Sequence, residues 1–431
     1  MAGSRAINPV RSLAGKVAIP GDKSLSHRSI MLAGLAETPV RVRNFLASED
    51  CLSTISCMRA LGVSVEIEPD GQVLVTGRGL YGLTEPDNVL DAGNSGTTIR
   101  LLSGLLAGQS FFSVLTGDDS LRRRPMARIV TPLTQMGGRI IGRENSRYAP
   151  VAIAAAASLN GIEYTMPVAS AQVKSAIMFA ALYASSPTVI TEPYLSRDHT
   201  ERMFAQFGVN VLRKGLSVTV NPVSALKAPE AVDIPGDFSS AAFLLVAATL
   251  IPGSELLLTN VGVNPTRTGL LDVLRLMGAD IELVNERLSG EEPVADLRVR
   301  SAKLQGVSIS SEIVPRLIDE IPILAVAALF AGGQTLIQGA EELRVKETDR
   351  LHAMASELAR MGGQVTERPD GLLIEGAKAL HSADCLTYAD HRVAMSLAVA
   401  GMAGSGVALD DPGCVAISFP NFFEKMEGCC R

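Results

Sequence analysis

Asp22-Lys23-Ser24, followed by the run SIMLAGLA over residues 29–36, opens the first of six copies of one pattern: a short polar signature, then an alanine-rich helical stretch. The other copies are Asn94-Ser95-Gly96 before IRLLSGLLAG, Ser170-Ala171-Gln172 before SAIMFAALYA, Asp237-Phe238-Ser239 before AAFLLVAATL, Asp319-Glu320 before ILAVAALFAG and Asp390-His391-Arg392 before VAMSLAVAG. Successive copies begin 67 to 82 residues apart, so one structural unit is used six times. A helix that is apolar all round is buried. Its first turn still exposes unpaired N–H groups and the positive end of the helix dipole, which suit anions. Six such starts carrying Lys, Arg, Asp and Gln predict a site for a strongly anionic substrate.

Working outward, the segments between these helices repeat too. A second, amphipathic helix ends in a hydrophobic residue and a glycine at Leu61-Gly62, Met136-Gly137, Phe207-Gly208, Met277-Gly278 and Met361-Gly362. Each glycine stands where a helix C-terminus takes a left-handed residue. Alternating stretches such as VSVEIEPDGQVLVTG and GQVTERPDGLLIEG follow and read as hairpins. The sixth unit lacks the glycine signal and ends in FPNFFEKMEG, a shortened terminal copy. Six units in 431 residues imply two α/β domains of three units each, with a boundary near Asp233-Ile234-Pro235-Gly236. The opening stretch RSLAGKVAIPG reads as a strand without its own hairpin, free to pair with either half.

Composition excludes several classes of function. Aromatic residues are 4% with no Trp, the net charge is −6, and Arg122-Arg123-Arg124 is the one basic run, so no nucleic-acid footprint is expected. The apolar runs fall short of the roughly 20 residues of a membrane span and no leader is evident, which predicts a cytoplasmic protein. Six cysteines without C-x-x-C spacing read as reduced thiols, and five scattered histidines suggest no metal site. There is no phosphate-binding G-x-x-x-x-G-K-[ST] loop and no G-x-G-x-x-G, H-E-x-x-H or G-x-S-x-G, so no cofactor is indicated.

The candidate functional residues sit at the helix starts. Asp22 alone would be an N-cap, and the fourth copy keeps Asp237 and Ser239 while replacing the lysine with Phe238. Capping therefore does not need Lys23, which leaves it for a ligand. Gly96 permits close approach to the backbone, and Arg124, set before Pro125, is held outside the following helix. Ser170 to Lys174 and Arg197 to Glu201 are further polar helix starts. In Arg344-Val345-Lys346-Glu347-Thr348-Asp349-Arg350, helical spacing would put Lys346 and Arg350 on one face with Glu347 beside them. With Asp319-Glu320 and Asp390-His391-Arg392 this stretch makes a polar cluster in which carboxylates among cations suit proton transfer on anions.

Taken in order, GDKSLSHR, NSGTTIR, RRRP, SAQVKSA, RDHTE, RVKETDR and DHR resemble the 5-enolpyruvylshikimate-3-phosphate synthase family over nearly the whole chain. SAQVK and RDHTE resemble its class II subgroup, which is associated with glyphosate tolerance, although Gly96 leaves open the space that an alanine methyl would fill. The resemblance implies a two-domain inside-out α/β barrel of six βαβαββ units. Residues 22–235 would form one domain and residues 1–21 with 236–431 the other, with the active site in the cleft between them. It also implies a cofactor-free monomer that transfers the enolpyruvyl group of phosphoenolpyruvate to the 5-hydroxyl of shikimate 3-phosphate and releases phosphate.

Carried over by motif, Lys23 would lie between the two substrates, and Ser24, Arg28, Ser170, Gln172, Arg197, Asp319 and Lys346 would hold shikimate 3-phosphate. Gly96, Arg124, Gln172, Arg350 and Arg392 would take phosphoenolpyruvate. Asp319 would accept the hydroxyl proton and Glu347 would exchange one at the methylene carbon. Ile417 and Glu342 depart from class I, which has Lys and Asn at these positions. Three alternatives differ in their requirements. A UDP-N-acetylglucosamine enolpyruvyl transferase would carry Lys-Asn at the first motif and a cysteine near residue 115. An RNA 3′-phosphate cyclase would need a nucleotide site. A non-catalytic anion-binding repeat protein would use the acids only as caps.

Overall fold

The computed structural model describes residues 3–377 and 379–431; residues 1 and 2 of the opening segment and Lys378 lie outside the described residues. All six alanine-rich stretches are helices: Lys23–Gly34, Gly96–Leu106, Ala171–Ala181, Phe238–Leu250, Ile321–Leu329 and His391–Ala403. Every residue is buried from Phe238 to Thr249, throughout Ile321–Leu329, and from His391 to Met402. No stripe of the sequence could choose an outward face, so these helices pack on all sides. Five of the six are capped by a side chain, from Asp22, Ser95, Ser170, Asp237 and Asp390. The amphipathic helices follow at Glu49–Ala60, Ala127–Gln135, His199–Gln206, Gly269–Leu276 and Arg350–Arg360. Gly62, Gly137, Gly208, Gly278 and Gly362 just beyond them all have φ between 77° and 99°, as their position at the helix ends predicts. Gly428, after Phe422–Glu427, stays right-handed at φ −63°, in keeping with a shortened sixth unit.

The chain divides into two compact units, one of Gly21–Ile234 with Ser289–Glu292, the other of Met1–Pro20, Pro235–Leu288 and Pro293–Arg431. Each has a hydrophobic core of its own. Among the described residues there are six small sheets, five of four strands and one of three, and none closes into a barrel. In the sheet of the first unit Ala231–Asp233 runs parallel to Val40–Arg43, which pairs antiparallel with the hairpin Ser64–Ile67 and Val73–Thr76. The other sheets repeat this order of one parallel pair followed by antiparallel ones.

Two strands are exchanged. Ala14–Ala18 precedes the first buried helix yet pairs with Glu255–Gly262, and Ala231–Asp233 precedes the fourth yet pairs in the first sheet. The third strand of the smallest sheet is Arg5–Ile7, antiparallel to Val407–Leu409, where the other sheets use a hairpin. No helix among the described residues is long and apolar enough to cross a membrane.

Small residues let the buried helices approach closely. A Cβ added at Gly104 would lie 2.0 Å from the carbonyl oxygen of Ala176 on a neighbouring buried helix, so the contact is between backbones. Gly104→Ala should therefore push the two helices apart and lower the stability by about 1–3 kcal/mol, the usual range for overpacking. Denaturant unfolding checks this, and a change within about 0.5 kcal/mol, typical of surface substitutions, would contradict the close contact.

Candidate active site

The unit containing Gly21–Ile234 gathers cations at its three buried helix starts. Asp22 accepts from Leu25 N at 2.8 Å, so the cap is complete without Lys23. The Lys23 ammonium instead donates to Asp50 at 2.9 Å, from the first turn of Glu49–Ala60. One turn on, Arg28 is 3% exposed and makes three hydrogen bonds: Nε to Thr200 Oγ1 at 2.7 Å, Nη1 to the Ser24 carbonyl at 2.8 Å and Nη2 to Ser175 Oγ at 2.8 Å. All three acceptors are neutral. A guanidinium has five N–H groups, so one N–H on each terminal nitrogen remains for a ligand. Burial lowers the Arg28 pKa to about 10; Asp22, Glu201 and Glu292 pull it up and Arg197 presses it down.

The second and third helix starts meet each other. Gln172 accepts from Arg100 Nη1 and donates to Thr97 Oγ1 at 3.1 Å. Arg124 is extended at φ −79°, ψ 142°, as expected for a residue before proline, and its Nη2 donates to Asn94 at 2.7 Å. A Cβ added at Gly96 would lie 2.9 Å from Arg100 Nη1 and 3.4 Å from Arg124 Nη1, so a methyl there would press on both guanidiniums. Ser170 accepts from Val173 N at 3.4 Å, and its hydroxyl proton stays free to donate. Arg197 is half-buried in the segment that leads to His199–Gln206.

The other unit brings acids and cations together. The Asp319 carboxylate stands 3.4 Å from Arg350 Nη1, 3.6 Å from Lys346 Nζ and 3.9 Å from Arg392 Nη2, and Arg392 Nη1 donates to the Asp319 carbonyl at 3.0 Å. Glu347 accepts from Arg350 Nη2 at 2.8 Å and Asp390 from Arg350 Nε at 2.8 Å. Arg350 is 1% exposed. Burial opposes its charge, but Asp390, Glu347 and Asp319 together outweigh burial and raise its pKa, so it is a permanent cation. Behind them Glu320 accepts from Ser239 Oγ and lies 3.6 Å from Arg392, and Arg267 Nη2 donates to Asp237 at 3.1 Å and Ser239 at 2.7 Å.

One local expectation is corrected. Lys346 and Glu347 do not share a helix face with Arg350. A 3₁₀ turn ends at Val345, Lys346 is extended, and the helix begins only at Arg350, where Asp349 caps it by accepting from His352 N at 3.1 Å. The side chains converge through Asp319 rather than through helical spacing. Asp50, Arg100, Ser175, Thr200 and Arg267 are not among the candidate residues that the sequence marks. Arg100, Ser175 and Thr200 lie inside motifs that were quoted, whereas Asp50 and Arg267 carry no sequence signal.

This arrangement of helices and sheets is the fold of the enolpyruvyl transferases. An enolpyruvyl transferase from Streptomyces tendae, 16% identical, superposes with a TM-score of 0.79 over 99% of this chain and 97% of that one. Within that class, the sequence profile described as EPSP synthase (3-phosphoshikimate 1-carboxyvinyltransferase) matches residues 7–426. A 3-phosphoshikimate 1-carboxyvinyltransferase of Desulforudis audaxviator is 55% identical, covering 97% of this chain and 98% of that protein. Another, of Geobacter sulfurreducens, is 53% identical with 97% of each covered. The EPSP synthase structure from Acinetobacter baumannii, 43% identical, has a TM-score of 0.88 over 99% of this chain and 98% of that one. The chain belongs to the EPSP synthase family.

A buried hydroxyl chain ties the first two helix starts together. His27 Nδ1 is 2.7 Å from Thr54 Oγ1, Thr54 is 2.6 Å from Thr98 Oγ1, and Thr98 bonds Ser95 Oγ at 2.8 Å. Burial, then Lys23 and Arg28, hold the His27 pKa well below 6.5, so it is neutral in the fold. Because the unfolded chain takes up a proton near pH 6.5 and the folded chain does not, stability is present above that pH and is lost as pH falls below it. Between pH 7.5 and 5.5 this amounts to up to about 1.4 kcal/mol. Denaturant unfolding at both pH values should show a smaller acid loss in His27→Asn than in the natural protein, and equal losses would contradict a neutral buried His27.

Proposed function

We propose that the two units divide one reaction between them. The protein is a 3-phosphoshikimate 1-carboxyvinyltransferase, which joins the enolpyruvyl group of phosphoenolpyruvate to the 5-hydroxyl of shikimate 3-phosphate and releases phosphate. The acceptor's anionic groups are held by Arg28 and Arg197 with Ser24, Ser170 and Gln172, and Lys346 reaches its hydroxyls beside Asp319. Arg124, Arg350 and Arg392 take the carboxylate and phosphate of the donor, where the planar fork of arginine suits two oxygens at once. Gly96 keeps the backbone open to the donor, and Lys23 lies between the two substrates.

The proton steps fall to the acids. The acceptor oxygen bonds to C2 of phosphoenolpyruvate as Asp319 takes the hydroxyl proton and Glu347 delivers one to C3, giving a tetrahedral intermediate. The C2–O bond to phosphate then breaks as Glu347 recovers a proton from C3. The proton taken by Asp319 leaves with the phosphate. Arg350 stays charged throughout and, together with Arg392, stabilises the negative charge that moves onto the phosphate oxygens.

The observation that carries this reading is the Asp319 carboxylate, set 3.4 to 3.9 Å from three separate cations and so close to groups that bind anions on either side of a proton transfer. Distances of this length are open enough to tighten when substrate arrives. Lys23-Ser24, and the absence of cysteine between 57 and 385, favour the shikimate acceptor over an amino-sugar nucleotide. All six cysteines are unpaired thiols, which supports a reducing cytoplasm.

The test is phosphate release from phosphoenolpyruvate with shikimate 3-phosphate or UDP-N-acetylglucosamine as acceptor. Turnover is expected with the first alone. Asp319→Ala and Glu347→Ala should each lower kcat by about 10²–10⁴-fold, as for lost acid–base groups. Arg197→Ala should mainly raise the acceptor KM, by about 10- to 100-fold for a lost charged hydrogen bond. Normal kcat with raised KM in the acid variants would remove them from the chemistry.

A further inference from the structure

Lys174 stands inside Ser170-Ala171-Gln172-Val173-Lys174, one turn into its buried helix, and its side chain is 0% exposed. Its ammonium lies 2.8 Å from Glu201 Oε1, 3.0 Å from Glu192 Oε2 and 3.4 Å from the Ser196 carbonyl. Arg213 Nη2 comes within 2.5 Å of Glu201 and 3.6 Å of Glu192, so two cations balance two carboxylates. The Ser196 hydroxyl donates to Glu192 as well. None of these four ionised groups takes part in the reaction as derived above.

Burying such a cluster gains little stability, because desolvation offsets most of the attraction, and apolar side chains of similar volume would hold the helix and strand together as well. What the ions add is direction. Ser196 directly precedes Arg197, and Glu201 directly follows Thr200. Next to Lys174, Ser175 Oγ is 2.6 Å from Thr200 Oγ1, and these two hydroxyls receive Nη2 and Nε of Arg28. Lys174-Ser175 and Thr200-Glu201 therefore meet as two adjacent rungs, one ionic and one between hydroxyls.

We propose that Lys174, paired with Glu192 and Glu201, is a positioning residue that fixes the segment from Ser196 to Glu201 and so aims Arg197 and Arg28 at the anionic groups of the acceptor. The inference rests on the acceptor reading above. Glu201 Oε2 is already buried with no hydrogen-bond partner. Without the ammonium the carboxylates would keep Arg213, and Glu192 the Ser196 hydroxyl, but two buried charges would share one cation and the segment would have to move to hydrate them. A displacement of about 1 Å in a site can cost about 100-fold.

Steady-state kinetics of the full chain tests this with Lys174→Met, Arg197→Ala and the double variant. Lys174→Met should raise the acceptor KM by about 10- to 100-fold and leave the phosphoenolpyruvate KM in place. Its effect should shrink in the Arg197→Ala background, since part of what it aims is gone. An unchanged acceptor KM, a parallel rise in both KM values, or full additivity with Arg197→Ala would overturn the inference. If Arg197→Ala itself left the acceptor KM unchanged, the acceptor reading would fail instead. Should Lys174→Met not fold, Glu201→Gln, which keeps size but removes charge, should give the same acceptor-specific rise. Failure of that variant to fold would make the cluster structural and overturn the inference.

Discussion

A helix that is buried on every side can present polar groups only at its ends, and this constraint organises the whole molecule. Six such helices occupy the two cores, and their first turns are where charge can be held against the end of a dipole. The surrounding parts follow from that requirement. Small residues allow the helices to pack, as Gly104 does against Ala176. The sheets cover them, and the amphipathic helices return the chain for the next copy. The polar signatures are thus the positions at which a repeated apolar unit could diverge without disturbing its core.

The divergence differs between the units. In one, Arg28 is buried among a carbonyl and two hydroxyls, and loss of hydration lowers its pKa. In the other, Arg350 is equally buried but gathers Asp390, Glu347 and Asp319, which raise its pKa. A cation held by neutral acceptors gains most when an anionic ligand arrives, because the ligand replaces the charge compensation that burial has removed. A cation already shared among carboxylates gains less, but it holds those carboxylates in place beside the other cations of the site. One arrangement favours binding and the other proton transfer.

Much of this was legible in the sequence because it depends on local pattern. The six Ala-rich runs could only be buried helices, and the five helix-ending glycines took the left-handed conformation their position predicts. The strand exchange was less so. Ala231–Asp233 is three residues long and pairs with Val40–Arg43 nearly two hundred positions away, a partnership that no local pattern announces. Lys346 and Glu347 were assigned to a helix face by spacing, whereas the Asp349 cap starts the helix after them. Lys23, Arg28, Arg124 and Arg350 stood out by residue type at a helix start. Their partners Asp50, Thr200 and Asn94 come from other elements, and a pairing across elements is set by packing rather than by sequence position.

The central claim is that a buried guanidinium held by neutral acceptors, Arg28, is a seat for the acceptor's negative charge. A crystal structure of the protein with shikimate 3-phosphate bound tests it most directly. The account predicts a carboxylate or phosphate oxygen of the ligand within about 3.2 Å of an Arg28 terminal nitrogen, with the bonds to Ser24, Ser175 and Thr200 retained. A ligand whose anionic groups all lay elsewhere, leaving Arg28 with those three partners alone, would contradict it.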